Sequence, residues 1–171
     1  MVRVIGCLEE MLASSACLAH DTWVQTNTNL VRVGDLVHVD LMLGNHGNEH
    51  RDYKLASKIT IADCTLNVLT PGGKAIDIKP DVVDTGYAPK EGFWSARFTP
   101  GESGVHIVAH TLDKLHGTTR AIKSAKTYFV ASETLDLKPQ SKTTLEAAAP
   151  FDKPLGHPLE IVPVKNPALG M

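Results

Sequence analysis

A chain of 171 residues has a one-domain length and can bury a core without disulfide or metal staples. Its formal net charge of −2 offers no basic face for nucleic acid or for an anionic membrane surface. No run of eighteen apolar residues occurs, so no transmembrane helix is expected.

Residues 1–19 read as an imperfect signal peptide. Arg3 provides a basic start, and Ala13-Ser14-Ser15-Ala16-Cys17-Leu18-Ala19 is a run of small residues of the kind cut on export. Glu9-Glu10 interrupts the place where the apolar stretch belongs; the alternative is a short N-terminal helix on a cytoplasmic protein. Cleavage after Ala19 makes His20 the first residue and leaves Cys64 as the only cysteine, so no internal disulfide can form. A periplasmic or extracellular location follows as the expectation.

From Asp21 to Val130 the hydrophobic pattern has period two. Gly34-Asp35 turns the chain into Leu36–Leu43, where Val37, Val39, Leu41 and Leu43 share one face and His38 and Asp40 the other. Residues 44–52 form a polar loop without periodicity. Thr65–Leu69 and Lys74–Ile78 flank Pro71-Gly72-Gly73 as a hairpin. Phe93–Phe98 is a further strand, closed by Thr99-Pro100-Gly101. In Val105–Leu112, Val105, Ile107 and Ala109 alternate with His106, Val108 and His110. Thr119–Val130 ends the pattern. About seven short strands between turn signals predict an all-β, Greek-key sandwich over residues 20–130, with Val37, Val39, Leu41, Val105 and Ile107 buried and Asp40 exposed or paired. Residues 131–171 form a Pro-rich tail, read as a linker and the truncated start of a second domain. With little apolar surface to offset ordering, that tail is expected to pack poorly.

Chemistry in this chain points to its histidines. All eight lie from His20 onward, and histidine is the commonest side-chain metal ligand. A processed His20 offers an α-amine and an imidazole on one residue, a chelate suited to copper(II) or nickel(II); otherwise it is an ordinary residue at a cleavage point. His46 and His50 flank a Gly-Asn-Glu loop with Glu49 and Asp52 nearby, either a site for an ion of intermediate softness or a solvated loop. His106 and His110 share a strand face at roughly 13 Å, too far to hold one ion without partners from a neighbouring strand. Their bland alternative is two solvent-facing polar positions. No nucleophile elbow, phosphate loop, His-Glu-x-x-His or acid/base pair is present, so no enzymatic activity is expected.

Ala19-His20-Asp21-Thr22-Trp23-Val24 resembles the mature start of a widespread bacterial family of exported proteins, described as a domain of unknown function and grouped with periplasmic components of nickel or cobalt uptake. Arg32-Val33-Gly34-Asp35, Phe93–Phe98 and Gly156–Pro163 fit its rhythm, and the resemblance runs from about Ala19 to Pro167. It implies an immunoglobulin-like or transthyretin-like architecture, a periplasmic location and a tie to metal handling, with a membrane metal transporter as partner. Only His20 maps onto the family's recurrent motif; His46, His50, His106 and His110 rest on the residues themselves. Together these readings predict a periplasmic protein that binds nickel, cobalt or copper for uptake or delivery. The alternative is a non-catalytic sandwich that binds a protein or glycan at the cell surface. A copper enzyme using the amino-terminal histidine is disfavoured, because so few aromatics offer no substrate platform.

Overall fold

The computed structural model describes residues 21–44, 61–86, 92–136, 150–165 and 167. They carry nine strands: β1 (Asp21–Thr26), β2 (Leu30–Arg32), β3 (Val37–Gly44), β4 (Cys64–Leu69), β5 (Ala75–Asp77), β6 (Val83–Asp84), β7 (Trp94–Phe98), β8 (Gly104–His116) and β9 (Thr119–Ser132). Helical structure among the described residues is confined to 3-10 turns at Ile61–Asp63, Lys79–Asp81 and Pro150–Asp152. No described helix is long and apolar enough to cross a membrane.

The alternating pattern folds as expected, into an all-β sandwich. One sheet runs β1-β3-β7-β6 and the other β2-β9-β8-β4-β5. The first has the A-B-E-D order of an immunoglobulin domain. In the second, β4, β8 and β9 take the places of C, F and G, with β5 and β2 added at the two edges. β1 pairs antiparallel with β3, whereas β2 pairs parallel with β9 at Val130–Ser132, so the amino-terminal edge is split between the sheets. Asn27 sits at that crossing and accepts the His38 backbone N–H through Oδ1 at 2.9 Å. A three-residue strand such as β2 is too short for a periodicity to reveal, which is why the expected count of strands fell short.

The core lies where the inward faces meet. Val37, Val39 and Leu41 on β3 stand opposite Phe98, Ala96 and Trp94 on β7. Leu66, Val68, Val108, Leu112 and Phe129 close on them from the other sheet. Val105 and Ile107 are buried as expected, but on the outer face of the second sheet and not between the sheets; half-buried Asp40 is paired, accepting a hydrogen bond from Ser95 Oγ at 2.7 Å. The β8–β9 hairpin turns over two residues, with Gly117 at φ +58° in the first position, a II′ geometry that suits the strand twist. Gly104 opens β8 at φ +138°; a Cβ there would come within 2.6 Å of Pro71, so the hairpin joining β4 to β5 seats against a residue that must be glycine.

The described part of the tail makes contacts that its composition did not foreshadow. β9 continues through Ala131 and Ser132, past the boundary expected at residue 130. Phe151 packs with Val105 and Val130 on the outer face of the second sheet. Further on, the Glu160 carboxylate takes the Lys126 ammonium at 2.6 Å, with side chains 7% and 11% exposed. The same carboxylate accepts backbone N–H groups from Leu155 (2.8 and 2.9 Å), Gly156 (3.1 Å) and His157 (3.3 Å). Burial opposes ionisation of Glu160, but the Lys126 hydrogen bond, the N–H donors and the Lys126 charge outweigh it and bring its pKa down to about 2. Leu159, Ile161 and Val164 stay outside, each large and exposed.

Two measurements check this packing. Leu66→Ala should destabilise the domain by about 2–5 kcal/mol in urea unfolding, while outward-facing Arg97→Ala should stay within about 0.5 kcal/mol. Glu160→Ala should speed amide exchange at Leu155, Gly156 and His157 by about tenfold or more, because a hydrogen bond to a charged group contributes about 1.5–3 kcal/mol. Core amides of β3 and β7 should be unaffected.

Candidate functional site

β8 lies between β4 and β9, with His106 opposite Phe129 and His110 opposite both Leu66 and Ala125. Both rings point into the sandwich and both are 0% exposed. The solvent-facing reading of these two positions is therefore corrected. The clue in the sequence was that Val108 and Leu112 share their face while Val105, Ile107 and Ala109 fill the other; a strand apolar on both faces is covered on both.

Each ring is held by a main-chain carbonyl. His106 Nδ1 lies 3.2 Å from the Gly104 oxygen and His110 Nδ1 2.9 Å from the Thr65 oxygen. A carbonyl only accepts, so Nδ1 carries the hydrogen in both neutral rings and Nε2 keeps a bare lone pair. Neither Nε2 has a hydrogen-bond partner among the described residues. His106 is stacked on Phe129, centroids 4.8 Å apart at 11°, and Phe98 tilts against it at 5.8 Å. Burial pushes both imidazoles below their ordinary pKa, against the pull of the carbonyl hydrogen bonds; for His110, with a nearby His157 adding to the depression, it falls to about 4. Burial likewise pushes the Cys64 thiol up to about 11, so it is protonated and inert.

A donated Nδ1–H with a free Nε2 is also the posture of a metal-bound histidine. Here it lacks company. No group of three or more His, Cys, Asp or Glu is gathered among the described residues, and the two rings stand in an apolar interior. Both belong to the packing of the core. His20, His46 and His50 lie outside the described residues. What the structure fixes is the strand pair that leads to them: Asp21, the residue after His20, is opposite Gly44, from which the chain runs on to His46 and His50.

A groove of about 810 Å³ lies between the start of β1, the outer part of β9 and the C-terminal segment. Trp23, Ile122, Leu159, Ile161 and Pro163 give it apolar walls, and Lys126, Glu160 and His157 line it as well. Lys126 and Glu160 are committed to each other, and Lys123, Ser124 and Tyr128 line the groove besides. No pattern along the chain marks it, since its walls come from three distant segments.

Comparison with solved structures finds distant β-folds. A DUF4785 family protein from Legionella pneumophila is 15% identical, with a TM-score of 0.44, over 64% of this chain and 28% of that one. The chitinase ChiW, a cell-surface-expressed multi-modular enzyme from Paenibacillus sp. str. FPU-7, is 13% identical, with a TM-score of 0.34, over 64% of this chain and 8% of that one. The chain thus spans less than a third of the length of either. No curated protein sequence matches it. A family model does: residues 17–170 match the domain of unknown function DUF4198, and the chain belongs to that family.

Proposed function

We propose that this is an exported, non-catalytic β-sandwich module that binds a transition metal ion, nickel, cobalt or copper, at its amino-terminal end and delivers it to a membrane transporter. The ligands are His20, with its freed α-amine, and His46 and His50. The observation that carries the reading is the register of β1 on β3. Asp21 opposite Gly44 ties the chain next to His20 and the chain leading to His46 to neighbouring points at one end of one sheet. Consecutive Cα atoms are about 3.8 Å apart and paired strands about 5 Å, so covalent connection alone keeps the Cα atoms of His20 and His46 within about 17 Å. Nitrogen donors of this kind suit nickel(II) and copper(II). In this reading the sandwich is a scaffold, and His20, His46 and His50 supply the donors.

A second reading is a module that docks on a protein or glycan at the cell surface. It is favoured by Leu159 and Ile161, each 85% exposed beside the apolar groove.

Titration calorimetry with nickel(II) and copper(II) separates them. Protein beginning at His20 should bind more tightly than protein carrying one extra residue in front, by about tenfold or more, about 1.4 kcal/mol. The extra residue turns the amine into an amide and breaks the chelate. His20→Ala should also weaken binding, as should the double variant His46→Ala/His50→Ala. Equal affinity for all forms would remove the amino-terminal site, and no binding by any form would replace the metal reading with the docking one.

A further inference from the structure

The histidines on β8 are absorbed by no part of the metal reading, and their setting has its own chemistry. Each neutral ring satisfies one nitrogen and leaves the other bare in a closed interior. Adding a proton at Nε2 would create a cation and an N–H donor with no acceptor among the described residues. Such a group is costly to bury.

The surroundings offer little to offset that cost. Around His106, β7 supplies Phe98 and β9 supplies Phe129, neither of which ionises. Among the described residues, Glu102, in the turn before β8, is the one carboxylate whose charge favours the protonated ring, and burial outweighs it. Around His110, β4 supplies the Thr65 carbonyl, Leu66 and the protonated thiol of Cys64, and β9 supplies Ala125. The C-terminal segment supplies His157, which adds to the depression at His110 and does not relieve it. An opened chain hydrates both rings and has no such penalty.

We propose that His106 and His110 form an acid-sensitive switch inside the sandwich: the sheets stay closed while both rings are neutral, and proton uptake at the two Nε2 atoms opens them. The direction follows from linkage. A base whose folded pKa is depressed binds protons more weakly when closed than when open. Stability is therefore full above the unfolded pKa of about 6.5 and is lost as pH falls towards the folded value. For His110 that window reaches down to about pH 4. Two sites on one strand make the response steeper than one.

Urea unfolding of the whole chain without added metal, followed between about pH 7.5 and 4.5, tests the switch. The midpoint should be level above about pH 6.5 and fall below it, with a slope approaching two protons taken up per molecule. His106→Phe and His110→Leu should each reduce that slope by about one proton, and the double variant should flatten it between about pH 6.5 and 5. Should either variant fail to fold, ring nitrogen NMR of the wild type tests the same protonation states directly. Two histidines should keep a protonated Nδ1 and a bare Nε2 in the folded protein below about pH 6.5, His110 down towards about pH 4. A midpoint independent of pH, a variant slope equal to wild type, or folded rings that both titrate near about pH 6.5 would each overturn the proposal.

Discussion

The rest of this fold depends on β8 being covered on both faces. Its inner face carries His106, Val108, His110 and Leu112 against the β1-β3-β7-β6 sheet. Its outer face carries Val105, Ile107 and Ala109, with Phe151 from the C-terminal segment packed against Val105. A solvated sandwich face would hold polar residues at one set of these positions. Because it does not, the chain after β9 has to return across the sheet. The Glu160 carboxylate, held by Lys126 and three backbone N–H groups, anchors that return.

The same constraint separates two roles for histidine within one chain. On β8, burial demands neutral rings, and carbonyl acceptors fix which nitrogen carries the proton. Those rings contribute packing and the proposed sensitivity to acid, and His106 adds its contacts with Phe98 and Phe129. The proposed metal handling needs accessible lone pairs and several converging donors, and is assigned to His20, His46 and His50. The Asp21–Gly44 pair is where the scaffold leads to them. Under that proposal an ion can be exchanged without disturbing the core.

Much of the architecture was legible in the residues. Alternation over Val37, Val39 and Leu41 determined both the strand and its buried face, because a pleated strand sends successive side chains to opposite sides. Pro71-Gly72-Gly73 and Thr99-Pro100-Gly101 marked turns for local backbone reasons. Membership of the family was legible in strings such as Ala19-His20-Asp21, which lie within the matched residues 17–170. Three things were not. β2 pairs in parallel with a strand about a hundred residues distant, and nothing local encodes such a pairing. The return of residues 150–165 across the second sheet rests on one phenylalanine and one glutamate whose partners, Val105 and Lys126, are far off in sequence. The environment of His106 and His110 was decided by which side of β8 meets the other sheet. A period of two says only that the two sets of side chains part company. With apolar residues on both sides, only the packing of one sheet on the other, and of the tail on the outside, determines which set is enclosed and what encloses it.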